Sequence, residues 1–216
     1  MSPHVAPDEL LALLRERRSV RRFRDEPLGD DVIEALIEAA TLAPSASNKQ
    51  PWRFFVVTSR AVIARMADAV RAETKRIEDS IPGDSAGAFR AYGDYFTRFE
   101  GAPAVIVPIC RGLSLLGNLV GPELDPASRA RILAMETSSG LIGTSLALEN
   151  LLLMAHAMGL GASGMTGPLI AEHALRELLE IPPSWSIVAL VPVGWPDETP
   201  RPTDRKPAEK VTRWIR

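Results

Sequence analysis

Residues 44 to 52 read Pro-Ser-Ala-Ser-Asn-Lys-Gln-Pro-Trp and lie between a predicted helix and a predicted strand. The helix is predicted to begin at Asp30 and to stop before Pro44, because proline disfavours the helical conformation of the residue ahead of it. Residues 53–58 are rich in aromatic and β-branched side chains, which indicates a buried strand. A polar loop is therefore predicted to be mounted rigidly beside a core strand.

A dense cationic segment lies upstream of this loop, where residues 17–24 read Arg-Arg-Ser-Val-Arg-Arg-Phe-Arg. It follows a predicted amphipathic helix that begins, with a cap, near Pro7-Asp8. Guanidinium groups match phosphate geometry bidentately, while the amide side chains of the 44–52 loop both donate and accept hydrogen bonds. The pairing suits a flavin, a cofactor with a phosphate at one end and a heteroaromatic ring at the other.

Each segment also has a plain structural alternative. An arginine-rich helix end is usually a solvated surface, and the 44–52 loop alone could be a structural turn with Trp52 as a core anchor. A third segment, 159–168, is rich in glycine and could be a helix cap; it lacks the strand-then-helix setting of a dinucleotide fingerprint. The occurrence of all three segments in one chain favours the cofactor site.

The composition predicts one soluble domain over residues 1–216. The chain is 46% hydrophobic and 24% charged, and its formal net charge of −2 gives no field that favours nucleic acid or an acidic membrane. No apolar run of signal-peptide length begins the chain, and no stretch of about 18 uncharged apolar residues marks a membrane span. We therefore predict a cytoplasmic protein without nucleic-acid or membrane partners.

Cysteine and histidine usage predicts no metal site. Cys110 is the single cysteine, which excludes an intrachain disulfide and a four-cysteine zinc or iron–sulfur site. His4, His156 and His173 show no ligand spacing such as a helical i, i+4 pair. Any redox chemistry is therefore expected to come from an organic cofactor.

The middle of the chain alternates between helix and strand patterns. Ser59 is a candidate N-cap for a helix over 60–79. A strand is predicted over 103–109, in which Pro108 indicates a sheet edge or a bulge. A long helix is predicted over 125–156, starting at an Asp-Pro pair and apolar on several faces. Such a helix is buried on more than one side, in a core or against a partner chain.

Other parts of the chain have weaker patterns. Residues 80–100 contain glycine, serine and aromatic residues with no clear core pattern. A loop is predicted over 111–124, a short helix over about 170–180 and a strand over 185–193. Residues 197–216 are rich in proline and charge, so they cannot form a core alone and are predicted to fray or to pack on another subunit.

Taken together, the three site segments resemble those of the FMN-dependent nitroreductase family, and the resemblance extends over nearly the whole chain. It implies an α+β fold, with a central mixed, mainly antiparallel sheet flanked by helices. It also implies an intertwined homodimer that binds FMN at its interface, with residues 197–216 as a C-terminal arm packed on the partner subunit.

The resemblance assigns cofactor-binding roles to matching positions. An Arg-Arg-Ser segment with a basic residue two positions later binds FMN in the family; here it is Arg17, Arg18, Ser19 and Arg21. The loop that borders the isoalloxazine ring corresponds to Pro44, Ser45, Ala46, Asn48 and Gln50. The turn that presents backbone N–H groups to flavin N5 corresponds to Gly164, Met165, Thr166 and Gly167. A basic pair that reaches the phosphate corresponds to Arg205 and Lys206.

The chemistry of the flavin explains why these residue types suit these positions. Cations or amide donors at the flavin pyrimidine edge raise its reduction potential, and donors at N5 orient the atom that accepts hydride. Arg17 and Asn48 are our candidates for the pyrimidine edge, and Arg21 and Arg205 for the phosphate. No catalytic acid is assigned, because flavin N5 performs the chemistry and solvent can supply the proton.

The implied activity is ping-pong transfer of electrons from NADH or NADPH through FMN to a small electron-poor acceptor, such as a nitroaromatic, quinone or enone. Enzymes that fragment flavin or remove halogen reductively share the scaffold and remain alternatives. A non-catalytic flavin-binding dimer is a third, since aromatic residues between 89 and 99 could line or block the substrate site.

The chain departs from the family pattern in two places. No asparagine occurs between Asn48 and Asn118, so the further asparagine that some relatives place against the ring has no counterpart. Thr166 stands where some relatives have an acidic residue, which bears on substrate preference.

Overall fold

Five short strands form one sheet in the computed structural model, which describes residues 5–83 and 85–216, so that His4 lies outside the described residues. The strands are β1 (Trp52–Val57), β2 (Ala104–Cys110), β3 (Gly161–Ala162), β4 (Ser186–Ile187) and β5 (Val191–Gly194). Their order is β1-β2-β5-β3, with β4 also paired to β2, and these pairs are antiparallel. A parallel bridge joins Ser19 to Ala162. The predicted mixed, mainly antiparallel sheet is confirmed.

The helices that flank the sheet mostly begin where the sequence predicts. They are α1 (Pro7–Glu16), α2 (Asp30–Thr41), α3 (Arg60–Glu78), α4 (Ser85–Gly93), α5 (Pro126–Ala157), α6 (Glu172–Leu178) and α7 (Ala208–Val211). Ser59 caps α3 by accepting the N–H of Val62, and Asp125 caps α5 by accepting that of Ser128. The predicted side-chain cap of α1 is wrong, because Ala6 occupies the N-cap position and has no side-chain acceptor.

β2 is the central strand, so that of the two alternatives predicted from Pro108 the sheet edge is wrong and the bulge is found. All residues of β2 are buried, and it pairs with β1 on one side and with β4 and β5 on the other. Between two paired positions, β2 advances by three residues, from Ile106 to Ile109, whereas the segment opposite it advances by four, from Ile187 in β4 to Val191 in β5. The extra residue bulges beside Pro108, which has no N–H to donate to a regular ladder. The single strand predicted over 185–193 is therefore split into β4 and β5.

The core lies on both faces of this sheet, because successive side chains of β2 point to opposite sides. Val105, Val107 and Ile109 pack against α3 and α6 residues such as Ile63 and Leu175. On the other face, a second cluster joins the sheet to α2 and α5; it includes Ala104, Ile106, Leu36, Ala40, Leu151 and Ala155. The two clusters fix β1, which follows the 44–52 loop, and the second cluster also fixes β3, which precedes the turn 164–167.

Residues 80–100 contribute to the core, although the sequence showed no clear core pattern there. Phe99 is fully buried and Phe96 nearly so. Both follow α4, which ends at Gly93, rather than lying on its face. Arg71 of α3 holds this region in place, since its guanidinium donates to both carboxylate oxygens of Glu100, at 2.8 and 3.0 Å.

Helix α5 is apolar for two different reasons. By length and by a mean hydropathy of 1.2 in its most apolar window, it is of the kind that could cross a membrane. Its residues Leu151 and Ala155 are fully buried in the core, which accounts for part of that composition. Elsewhere the helix exposes Leu133 and Leu141, and on one face it exposes an apolar stripe formed by Met135, Ile142 and Leu146. We call these last three residues the α5 stripe.

Candidate functional site

The cationic segment after α1 is fixed to the sheet beside β3. Ser19 forms a bridge with Ala162, and the N–H of Val20 donates to the Ala162 carbonyl at 3.2 Å. Further along, the N–H of Arg21 donates to Glu198 Oε1 at 2.6 Å. The backbone of the predicted FMN-binding segment is thus held at two points.

Arg21 and the glycine-rich turn, two of the predicted site segments, lie around one cavity. This cavity of about 180 Å³ is bordered on one side by Arg21 and the turn 164–167. Tyr92, Tyr95 and Phe96 form another part of its wall. The tyrosines are exposed, whereas Phe96 belongs to the core. The aromatic residues of 89–99 therefore serve both core and cavity.

The turn 164–167 has a fixed backbone. Met165 and Leu190 exchange two backbone hydrogen bonds, each of 2.9 Å. The N–H groups that could meet a ligand are therefore those of Gly164, Thr166 and Gly167, whereas the Met165 N–H is committed to Leu190. A Cβ at Gly167 would lie 2.2 Å from the Phe96 ring, so only glycine permits this close approach.

Two buried polar groups next to these segments have no hydrogen-bond partner among the described residues. One is Nε of Arg17, which lies 3.5 Å from Oε1 of Glu149 on α5. The other is the hydroxyl of Ser163, directly before the turn. Buried polar groups are normally satisfied, and leaving one unpaired costs about 1–3 kcal/mol. Sequence reasoning missed Ser163 and Glu149, although Ser163 stands in the small-residue run 161–168.

Arg18 has a local structural contact instead. Its guanidinium donates to the carbonyl groups of Arg15 and Arg17, and so closes the C-terminal end of α1. The structure gives this side chain no contact with the Arg21 cavity. Its assignment to FMN stays a prediction.

The second predicted segment is a strained loop. A 3₁₀ turn over Ala46–Asn48 follows Pro44, and the φ angles of Ser47, Asn48 and Gln50 are 51°, 51° and 47°. Non-glycine residues rarely adopt this left-handed conformation, and such residues cluster at functional sites. The loop is closed by the Ser45 hydroxyl, which accepts the N–H of Gln50 at 2.9 Å.

Side-chain amides in this loop also contact each other. The Gln50 amide donates to Oδ1 of Asn48 over 3.4 Å, and both residues are exposed. The backbone of Ala46 accepts the N–H of Lys49 at 3.1 Å. The loop therefore presents two oriented amides to its surroundings, and their assignment to the flavin ring stays a prediction.

Within one chain, the two predicted segments meet different faces of α5. The loop packs at Gly143, where an added Cβ would lie 3.4 Å from Cβ of Ser45. The cationic segment meets the helix at Glu149 through Arg17. Six residues of α-helix correspond to about 9 Å of rise and about 240° of rotation. The structure of the single chain thus brings Arg21 together with 164–167, but not with the 44–52 loop.

Arg205 and Lys206 do not join the Arg21 cavity in the described chain. Both are exposed, and the Arg205 guanidinium donates to Thr203 Oγ1 and to the Asp204 carbonyl. Glu198 ties the start of this arm to the cationic segment, and residues 201–216 beyond it are exposed. A phosphate role for Arg205 and Lys206 stays a prediction.

Comparison with known proteins shows the family of the chain. Residues 14–195 match the nitroreductase family, and the chain belongs to that family. The 5,6-dimethylbenzimidazole synthase of Rhodospirillum rubrum is 29% identical over 194 residues, which cover 88% of this chain and 83% of that protein. An NADH dehydrogenase of Thermus thermophilus is 29% identical over 214 residues, 92% of each chain.

Solved structures show the same fold. A BluB-like flavoprotein from Clostridium difficile 630 aligns with a TM-score of 0.80 and 24% identity, over 96% of this chain and 99% of that chain. A nitroreductase with bound FMN from Desulfitobacterium hafniense DCB-2 aligns with a TM-score of 0.70 and 21% identity, over 96% and 98%. The protein has the nitroreductase-like α+β fold, and proteins of this fold include FMN-binding ones.

Proposed function

We propose that the protein is an FMN-dependent oxidoreductase that passes electrons from NADH or NADPH to a small electron-poor acceptor, in ping-pong order. The main support is the shared cavity of Arg21 and the turn 164–167, next to two buried polar groups that have no hydrogen-bond partner among the described residues. Nitroaromatic compounds, quinones and enones are the acceptor classes that suit this chemistry. FMN, when bound, supplies the two-electron transfer itself.

The residues present fit such a cofactor. Arg21 would bind the phosphate, because a guanidinium fork matches its oxygens bidentately. Arg17 would donate its Nε–H to a pyrimidine carbonyl, because this group has no hydrogen bond among the described residues and only a 3.5 Å ion pair with Glu149. Gly164, Thr166 and Gly167 would direct backbone N–H groups at the N5 edge. Tyr92 and Tyr95 would limit water on the exposed side.

We propose that the site is completed by a second copy of the chain. Met135, Ile142 and Glu149 are spaced by seven residues and therefore share one face of α5, the face that Arg17 approaches. The α5 stripe lies on that face, and an exposed apolar surface of this kind suits a homodimer. In such a dimer, the Asn48 loop of the partner would approach the flavin that Arg17 and Arg21 bind.

The C-terminal arm fits the same arrangement. Residues 201–216 are exposed throughout, and Val211, Trp214 and Ile215 expose more than half of their surface. Such apolar side chains are stabilised when they pack on another surface, so we propose that the arm packs on the partner subunit. A cytoplasmic location suits the expected use of NADH or NADPH.

Spectroscopy of the purified protein tests the proposal. We expect a yellow protein with one FMN per chain, whose absorbance near 450 nm is bleached by NADH or NADPH and restored by a nitroaromatic or quinone. A colourless protein that neither binds added FMN nor accepts hydride would contradict it.

Flavin fragmentation is the second candidate, because a curated relative is a 5,6-dimethylbenzimidazole synthase. The two functions differ in what happens to the cofactor. An acceptor reductase regenerates FMN at each turnover, whereas a fragmenting enzyme consumes it in the presence of oxygen. Chromatography of the flavin after aerobic turnover separates them: recovered FMN supports the reductase, and stoichiometric conversion to a benzimidazole supports the alternative.

A further inference from the structure

A separate and larger cavity, of about 550 Å³, borders the strained loop at Lys49. Its other walls come from the start of the 111–124 segment, from α5 and from the turn before Trp185. Arg111 contributes the second charged side chain of the lining, Ser114, Thr137 and Ser184 contribute hydroxyl groups, and leucines such as Leu133 contribute an apolar wall. The cavity therefore has a cationic part and an apolar part.

The two cations have no acidic counterpart in the cavity. No aspartate or glutamate belongs to the lining, and neither Lys49 nor Arg111 forms an ion pair within the part of the chain that the structure describes. The guanidinium of Arg111 instead lies 5.3 Å from the ring centroid of Trp185, and that of Arg53 lies 4.5 Å from the same centroid. Cation–π contacts orient these groups without neutralising them.

Buried glutamate Glu136 on α5 keeps the segment beside the cavity in place. Its carboxylate accepts the N–H groups of Leu115 and Leu116, each at 2.6 Å, and that of Gly117 at 3.3 Å. The residue is only 4% exposed. Because its oxygens are occupied by these donors, Glu136 stabilises the wall and leaves the cationic lining to other anions.

A glycine on the same helix sets the position of Arg111. A Cβ at Gly140 would lie 2.2 Å from the Arg111 carbonyl oxygen, so the segment can approach α5 this closely only at glycine. The Arg111 N–H in turn donates to the Pro51 carbonyl at 3.1 Å, at the end of the strained loop. The loop and the cationic wall are thus joined through the backbone.

We propose that the Lys49–Arg111 cavity binds the anionic group, carboxylate or phosphate, of a substrate that reacts at the flavin. Two cations without a counterion attract such a group, and the apolar wall suits an aromatic body attached to it. The inference rests on the proposed function, because Lys49 stands between Asn48 and Gln50, the residues assigned to the flavin ring. The anion would belong either to an acidic aromatic acceptor or to the additional phosphate of NADPH.

Kinetics of charge-removing variants test this cavity in the holoenzyme. Lys49→Gln and Arg111→Gln are compared with Arg65→Gln, which removes an exposed charge from α3, away from the cavity. The substrate pairs are 4-nitrobenzoate with nitrobenzene, and NADPH with NADH. We expect the KM for the charged member of one pair to rise about tenfold, since a hydrogen bond to a charged group is lost, with the neutral or unphosphorylated member unchanged. Arg111→Lys, which keeps the charge, should recover part of the affinity.

The affected pair identifies the source of the anion. A selective effect on 4-nitrobenzoate assigns the cavity to an acidic acceptor, and a selective effect on NADPH assigns it to the dinucleotide phosphate. Equal changes for both members of each pair, or no change in either pair, would overturn the proposal.

Equilibrium binding separates this proposal from the proposed function. Benzoate and inorganic phosphate are titrated calorimetrically into the protein as purified, with no turnover. Binding that weakens in Lys49→Gln and Arg111→Gln, but not in Arg65→Gln, supports the cavity even if the protein shows no reductase activity. Binding that is identical in all three variants contradicts the cavity even if the reductase activity is present.

Discussion

The Ser45 hydroxyl oxygen accepts a hydrogen bond from the backbone N–H of Gln50, with 2.9 Å between the two atoms. This contact closes a loop in which Ser47, Asn48 and Gln50 all have positive φ angles. Left-handed backbone at three non-glycine residues persists only where surrounding contacts stabilise it. The Ser45 contact therefore orients the amides that we assign to the flavin ring.

Replacing this serine should loosen the loop without unfolding the protein. Ser45→Ala removes one partly exposed hydrogen bond, so we expect a loss of about 1 kcal/mol in the free energy of unfolding. The dissociation constant of FMN, measured by fluorescence quenching, should rise about tenfold because the Asn48 and Gln50 amides are no longer held. Ser80→Ala removes a comparable contact at the end of α3 and should leave FMN affinity unchanged. Unaltered FMN binding by Ser45→Ala would show that the closed loop is not needed.

Neighbouring arginines provide a matched test of the phosphate assignment. Arg21 lines the cavity, whereas the side chain of Arg22 is 70% exposed and pairs with Glu198. Arg21→Gln should weaken FMN binding by a factor of about ten or more, because a charged hydrogen bond is lost. Arg22→Gln should change it less than about twofold, as expected for an exposed ion pair. Equal losses in a flavin titration would place the phosphate elsewhere.

Two glycines of α5 should respond oppositely to alanine. At either position, alanine has a helix propensity that is more favourable than that of glycine by about 1 kcal/mol. At Gly140 the new Cβ would lie 2.2 Å from a backbone oxygen, which overpacks the site and costs about 1–3 kcal/mol, whereas at Gly143 the nearest atom is 3.4 Å away. Urea unfolding at equal protein concentration should therefore show Gly140→Ala to be less stable than Gly143→Ala. The reverse order would contradict the close packing of Arg111 on α5.

Local signals in the sequence predicted much of this fold. Proline and N-cap residues located α2, α3 and α5, and the β-branched run after Trp52 located β1, because these features act within a few residues. The central place of Pro108 was not predictable in the same way. A proline fits this central strand because the neighbouring segment between β4 and β5 bulges, and such a bulge is a property of strand pairing rather than of the strand that contains the proline.

The candidate site was predictable only in part. The motifs located Arg21 and the turn 164–167, and the structure brings these around one cavity. The left-handed backbone of the loop and the unpaired Ser163 hydroxyl depend on tertiary packing and had no sequence signal of their own. The role of Glu136 also depends on packing, because its donors come from residues about twenty positions earlier in the chain.

Acid should remove one contact that holds residues 80–100 to α3. Hydrogen bonds from Arg71 hold the pKa of the Glu100 carboxyl below its ordinary value near 4.5. Because the folded-state pKa is the lower one, the stabilisation is fully present above the unfolded-state pKa and is lost as pH falls through the folded-state value. Both side chains are more than a third exposed, so solvent screening limits the effect to less than about 1 kcal/mol.

Urea unfolding at two pH values checks this expectation. Glu100→Gln should be slightly less stable than the unmodified protein at pH 7, and the two should converge once the pH lies below the folded-state pKa of Glu100, where the carboxyl is protonated in both states. Glu34→Gln, an exposed change on α2, should show no such convergence. A difference for Glu100→Gln that persists unchanged at low pH would assign its origin to packing instead.

The central claim is that one flavin site is built from two chains, with Arg21 from one protomer and Asn48 from its partner. Arg21→Gln and Asn48→Ala chains, each with a different affinity tag, are co-expressed, and the mixed dimer is isolated by tandem purification. In a two-chain site, both substitutions fall in the same one of the two sites and the other is intact, so we expect about half of the normal FMN content and activity per dimer. FMN content as low as in either homodimeric variant would contradict the shared site.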